Sequence, residues 1–175
     1  MIPATRDVSI RPASLADLPA LTRIQNYYIS HTHITFDVEP FMPDDRVEWF
    51  HEHCDGKRYR ILVAERPEGG IAGYAATGRF RAKKAYETTV EASIACAPEN
   101  TGRGLGTLLY RELFKLLSQE DIHRVVAGIA QPNAASNALH HRFGFRTIGT
   151  FTEVGRKFGK YWDVTWMEKT LHDPV

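Results

Sequence analysis

The sequence predicts a mixed α/β domain built around a central sheet. Three observations carry that expectation. Strand-like and helix-like hydrophobic periods alternate along the chain. Its 175 residues, 43% of them hydrophobic, suffice for one sizeable core without disulfides or structural metal. No repeat, low-complexity tract or Pro/Gly/Ser linker divides the chain, so residues 1–175 are expected to form a single domain.

The elements follow in order. "DVSIRPA" reads as a first strand. Ser14 then caps a helix with Asp17 three residues on, and Leu15, Leu18, Leu21, Ile24 and Tyr28 form its apolar stripe to an end near Ser30. "HTHITFDVEPFMP", broken by Pro40 and Pro43, reads as a lid or substrate-side loop before a short helix carrying Val47, Trp49 and Phe50. "RYRILVAE" and "GIAGYAATGRF", joined by "RPEGG", have the spacing of an antiparallel hairpin. "TTVEASIACAP" is a further strand, ended by Pro98. A leucine-patterned helix, a strand "HRVVAGIA", a helix from Asn133 to about Phe143 stopped by Gly144, and two last strands, "FRTIGTFTEV" and "YWDVTWMEKTL", complete the order.

Composition excludes several functions. Lys plus Arg (22) nearly balance Asp plus Glu (21), so no global field attracts nucleic acid or an acidic membrane. Cys54 and Cys96 lack CxxC spacing, which argues against zinc and a redox pair and fits a reducing cytoplasm. "MIPATRDVSIRPA" lacks the basic and apolar segments of a signal peptide, and no apolar run reaches membrane-spanning length. His51 and His53 are two apart and fall on different helix faces, so neither they nor His31, His33 and His123 suggest a metal site.

The stretch "NTGRGLGTLLYRELFKLL" joins three glycines to a helical pattern of Leu105, Leu108, Leu109, Leu113, Leu116 and Leu117. Gly102 to Gly106 therefore sits at a helix N-terminus, where unpaired amides, the positive dipole end and Arg103 suit a phosphate or pyrophosphate. A nucleoside-triphosphate loop would need GxxxxGK(S/T), and a dinucleotide fingerprint GxGxxG; "GRGLGT" offers neither. On these residues alone, a plain turn that starts a helix remains the competing reading.

The context of that stretch is a strand "VEASIACAP", then "ENTGRGLGT", the leucine-rich helix, a strand and "PNAASNALHHRFGF". This order resembles the GNAT superfamily of N-acetyltransferases, in which a (Q/R)-x-x-G-x-(G/A) segment holds the coenzyme A pyrophosphate. Thr101-Gly102-Arg103-Gly104-Leu105-Gly106 matches its glycines and departs at Thr101. Within the superfamily the chain is similar, from Ile10 to about Met167, to the phosphinothricin and methionine sulfoximine N-acetyltransferases. "ITFDVEP", "RFRAKKAYETTVEASI" and "PNAASNALHHRFGF" carry that likeness, with Lys83 and Thr88 departing from the common pattern.

The resemblance implies a GNAT fold, a central mixed and mostly antiparallel sheet flanked by helices. It also implies transfer from acetyl-CoA to the α-amino group of a small amino-acid-like substrate in a ternary complex. Transfer needs a neutral amine, hence a base. Glu91, which bare sequence would leave as a solvated strand glutamate, takes that role at the family's Thr-x-Glu position. His140 is the implied acid toward the departing thiolate. The strand edge at Ile94, Ala95 and Cys96 would bind the pantetheine amides as an added strand does. Gly102, Arg103, Gly104, Leu105, Gly106 and Thr107 would hold the pyrophosphate, and Asn133 and Ser136, obvious helix caps, add coenzyme contacts. Arg79, Arg81 and Lys83 would meet the acceptor's anionic groups, while Phe36, Phe80, Tyr86 and Thr89 complete its pocket. The expected partners are a small-molecule amine and a second copy of the chain. No metal, nucleic acid or membrane is expected. Two other readings stay open, acetylation of another amine such as a protein N-terminus and a non-catalytic acyl-CoA-binding module.

Overall fold

A computed structural model describes residues 8–54 and 57–172. Asp7 of the first expected strand and the N-terminal segment read for a signal lie outside them. Seven strands form one sheet: β1 (Ser9–Pro12), β2 (Arg60–Glu65), β3 (Ile71–Arg79), β4 (Thr89–Cys96), β5 (Arg124–Ala130), β6 (Arg146–Lys157) and β7 (Lys160–Thr170). Their order is β1-β2-β3-β4-β5-β7-β6, and every adjacent pair is antiparallel except β4 with β5. The helices are α1 (Leu18–His31), α2 (Val47–Glu52), α3 (Leu105–Leu117) and α4 (Ala134–Arg142).

Strand alternation sorts the core into two layers. Leu62, Ala64, Val90 and Ala92 turn to one face, where they meet Leu105, Leu109, Tyr110, Leu113, Phe114 and Leu117 of α3. Ile61, Val63, Tyr74 and Ala76 turn to the other and meet Leu18, Leu21 and Ile24 of α1 and Phe50 of α2. Burying each such aliphatic side chain favours folding by about 1.5–3 kcal/mol. In α3, Tyr110 and Phe114 join the expected leucine stripe, whereas Leu108 and Leu116 are only half-buried. In α1 the stripe also shifts. Leu15 precedes the helix and stays exposed, and Ile29 is buried.

Local chemistry sets the boundaries. Asp17 accepts hydrogen bonds from the Ser14 N–H at 2.8 Å and the Ser14 hydroxyl at 3.0 Å, and pairs with Arg11 at 2.7 Å. The expected cap is thus an aspartate clamp on the chain entering α1. Gly144, at φ 80°, ends the α4 turn in the left-handed region that glycine tolerates best. β6 runs three residues beyond its expected end at Val154, to Lys157, with a register shift between Phe151 and Gly155.

The feature that positions the site is the parallel pair. β4 and β5 stay in register only through Thr89↔Arg124, Val90↔Val125 and Glu91↔Val126. Beyond Glu91 the strands splay apart. The Ala97 N–H donates to the Ala72 carbonyl at 2.8 Å, which fixes the ladder's alternation: odd-numbered β4 residues spend their main-chain groups on β3. The N–H and C=O groups of Ile94 and Cys96 therefore point into the gap.

Candidate active site

The splay opens into a continuous cavity with two lobes, which share Tyr28, Ile34, Ile94, Ala95, Asn133 and Ser136. One lobe, of about 340 Å³, is bounded by β4, the start of α3 and one side of α4. The other, of about 480 Å³, lies over the α1/α2 face of the sheet between β4 and β5.

The first lobe gathers Ile94, Ala95, Cys96, Gly102, Gly104, Gly106, Thr107, Asn133 and Ser136. Gly102 and Gly104 adopt φ 72° and 82°, so the turn before α3 needs glycine. Helix geometry leaves the Leu105 and Gly106 amides without an acceptor inside α3. A methyl group on Gly106 would stand 3.0 Å from Leu139 and 3.3 Å from Ile94, where the groove walls converge, so glycine keeps this groove open. These features fit an extended ligand ending in phosphates. Arg142, which sequence reading missed, lines the same groove and donates to the Thr107 hydroxyl at 3.3 Å. Leu105 has the position an amide-only role requires. Its side chain is buried in the core under the sheet, and only its amide can serve a ligand. Arg103 is exposed and is not part of the groove wall.

Asn133 caps α4 by accepting the Ser136 N–H at 3.1 Å, while both residues also face the cavity. Cys96 contributes main chain. Its carbonyl accepts the Tyr28 hydroxyl at 2.6 Å, and burial pushes its thiol up to about 11, away from thiolate chemistry. Tyr28 sat in the expected α1 stripe, and its hydroxyl's need for a partner was the available signal.

In the second lobe Glu91 is half-buried, and its side chain shares a sheet face with Ser93 and Ala95. Burial raises its carboxyl above the ordinary range, and the charge of Arg81 partly opposes that rise. A carboxyl so placed can take up a proton more readily than an exposed one.

His140 is 3% exposed and also faces this lobe. Its Nδ1 lies 2.8 Å from the Ser136 carbonyl and so carries the proton, leaving Nε2 to accept the Tyr110 hydroxyl at 2.9 Å. Burial lowers its pKa, the main-chain bond to Ser136 opposes that, and His141 adds to it. Both ring nitrogens of the expected acid are thus engaged, and burial favours its neutral form. Tyr110, fully buried and with its pKa raised by burial, was missed as its partner.

The expected acceptor residues come together only in part. Arg81 reaches Glu91 electrostatically, while its guanidinium lies 4.8 Å from the Phe80 ring centre. Arg79 at the end of β3, and Lys83 and Tyr86 on the segment joining β3 to β4, are exposed, and with Phe80 and Thr89 they stay out of the cavity wall. Phe36 lies on Gly155 of β6, where an added methyl would overlap its ring. The cavity is instead walled by Gln25, Asp37, Phe41, Arg46, Trp49 and Tyr74. The expected lid segment does border it, and it is tied down. Asn26 exchanges two hydrogen bonds with the Phe41 main chain at 2.8 and 2.9 Å, and Lys157 donates to the Thr35 carbonyl at 2.8 Å. Among the described residues no group of three or more His, Cys, Asp or Glu side chains is arranged to hold a metal ion. No helix among them is long and apolar enough to cross a membrane.

A parallel strand pair that splays beside a glycine-rich helix start offers main-chain donors and acceptors to an extended ligand that ends in phosphates. Comparison with known proteins identifies the class. The acetyltransferase (GNAT) domain model matches residues 10–166, and the chain belongs to that family of acetyl-CoA-dependent N-acetyltransferases. It is 52% identical over 171 residues to a phosphinothricin N-acetyltransferase of Streptomyces coelicolor, covering 97% of this chain and 100% of the relative. It is 37% identical over 167 residues to an L-methionine sulfoximine/L-methionine sulfone acetyltransferase of Pseudomonas paraeruginosa, covering 95% and 96%. A putative acetyltransferase of Salmonella typhimurium, solved with acetyl-CoA, superposes with a TM-score of 0.91 at 34% identity, covering 97% of this chain and 96% of that one.

Proposed function

We propose that residues 1–175 act as one domain that acetylates the α-amino group of a small amino-acid-like acceptor, of phosphinothricin or methionine sulfoximine type, in a ternary complex. The activities named for the two relatives support the acceptor class. The observation that carries the reaction is Glu91, a half-buried carboxylate in the acceptor lobe directly before the unpaired β4 edge.

Acetyl-CoA supplies an activated carbonyl. Gly102, Gly104 and Gly106 hold the pyrophosphate end with Arg142, and the outward main chain of Ile94 and Cys96 receives the pantetheine arm. Glu91, directly or through a water, takes the ammonium proton, which frees the nitrogen lone pair. The C–N bond forms, the C–S bond breaks, and the nitrogen gives up a second proton that ends on the departing sulfur, so that a neutral amide and the thiol of coenzyme A result. An N–H of β4 at the gap stabilises the oxygen that becomes negative. Neutral His140 holds Tyr110 in place, and it serves the thiolate only after first taking a proton itself. A buried imidazole resists that step.

The deciding assay offers methionine sulfoximine, phosphinothricin and an N-terminal peptide amine side by side with acetyl-CoA. Turnover confined to the peptide would sink the amino-acid reading, and turnover of none would favour a binding module. Initial rates that give parallel rather than intersecting lines would exclude the ternary complex.

We further propose a homodimer. β6 and its turn expose Ile148, Phe151, Val154 and Phe158, and β7 adds Tyr161, an apolar edge that a second copy would cover. Light scattering after size exclusion should give twice the 19.8 kDa chain mass, and Phe151→Asp should reduce it to one. We also propose a reducing cytoplasm as the compartment, a setting that cysteines not joined in a disulfide suit.

A further inference from the structure

Arg46, at the entry to α2, is 6% exposed and forms part of the acceptor lobe wall. Its Nη1 is buried and has no hydrogen-bond partner. No ion pair within 4.0 Å engages Arg46 among the described residues. The carboxylates on the same wall are committed elsewhere. Asp37 accepts from Gln25 at 2.9 Å and from Thr35 at 3.0 Å, and Asp45 accepts the Met42 N–H at 2.8 Å. Glu91 is influenced by Arg81.

What Arg46 does have is aromatic support. Its guanidinium carbon lies 3.9 Å from the Trp49 ring centre and 5.9 Å from that of Phe41. Such contacts use the face of the guanidinium and leave its N–H edge available. Tyr74, beside it, shares a side-chain hydrogen bond with Arg46 and sends its own hydroxyl to Gln25 at 3.1 Å, so Nη1 is the donor left over. A buried, always-charged fork with an unused donor is costly to keep unless a ligand completes it.

We propose that Arg46 binds an oxyanion of the acceptor, its carboxylate or an anionic side-chain group, and so selects acidic amino-acid-like amines over plain amines. Resting on the acceptor reading above, this assigns to a buried arginine the anion contact expected of the exposed Arg79, Arg81 and Lys83. The planar fork of Arg46 meets two oxygens at once, and Trp49 beneath it fixes the plane. The acceptor's ammonium then lies toward the acidic side groups of the cavity and Glu91. The lobe is complementary to a zwitterion.

The test compares wild type, Arg46→Gln and Arg46→Lys on methionine sulfone, methionine sulfone carboxamide and phosphinothricin. Arg46→Gln should raise KM about tenfold or more for the two acids. It should leave KM for the carboxamide and for acetyl-CoA within about twofold. Arg46→Lys, a point charge without the fork, should fall between. A rise confined to phosphinothricin also supports the proposal and identifies its phosphinate as the bound oxyanion. Equal losses on all three amines, or no loss on any, would overturn it. Where wild type acetylates none of these amines, the acceptor reading fails by itself, and Arg46 is tested by tryptophan fluorescence titrated with acetate. Saturable quenching that vanishes in Arg46→Gln supports anion binding, and an identical response in both proteins refutes it. Arg46→Lys provides the same comparison if the glutamine variant does not fold.

Discussion

In the lobe proposed for the donor the groups facing the cavity are largely main chain, the β4 edge at Ile94 and Cys96 and the glycine turn before α3. In the acceptor lobe they are side chains from α1, the loop after it, α2, β3 and β4. The difference teaches where specificity can change without loss of the reaction. A donor site made of amides tolerates replacement of the residues around it, so Thr101 can depart from the family pattern while its hydroxyl merely bonds the Pro98 carbonyl at 2.9 Å. An acceptor site made of side chains is altered by each substitution.

The comparison breaks hardest at Glu91. Glu91→Gln should lower kcat/KM for the amine by about 100-fold or more, the scale of a lost general base. KM for acetyl-CoA should stay unchanged in the same steady-state assay. A similar change in both constants would mean that the lobes are not separable. Gly106→Val probes the other side. Its side chain would meet Leu139 and Ile94, so KM for acetyl-CoA should rise about tenfold with the amine KM preserved.

Between the lobes, Tyr110→Phe would strip the buried His140 Nε2 of its donor and destabilise the fold by about 1–3 kcal/mol, read from urea unfolding. Glu91→Gln acts on stability in the opposite sense. A carboxyl whose folded pKa lies above its unfolded one stabilises the fold fully below the unfolded value, and that stability is lost as pH rises toward the folded value. The variant should therefore melt higher than wild type at neutral pH, and the gain should disappear below the ordinary carboxylate range. The smallest effect belongs to Arg81. Its charge holds Glu91 down, so Arg81→Ala should move the acid limb of kcat/KM to higher pH. An unmoved limb would restrict Arg81 to some other role.

The element order, the glycine turn and the Thr-x-Glu strand could be read from the sequence because each is local. Period, turn chemistry and a short motif fall within a few residues. The wall of the acceptor lobe could not. Arg46 reaches its place only when "PDDRVEWF" packs on Tyr74 of β3, and the one local hint was an arginine three residues before Trp49 on a helix face. Tyr110 read as core until α4 brought His140 to its hydroxyl. The basic residues around Arg81 had the right charge, but their segment carries them to the surface, a matter of strand length that charge alone does not encode.

The three-residue seam between β4 and β5 has one more consequence. Four strands on one side and three on the other meet through that seam, so in the empty enzyme the two blocks are joined by little main-chain bonding. An extended donor lying in the gap, as proposed above, would act as an eighth, removable strand and stitch the blocks together. Amide hydrogen exchange should register this as slowing at Ile94 and Cys96 on addition of coenzyme A. The melting temperature should rise with coenzyme concentration as mass action requires.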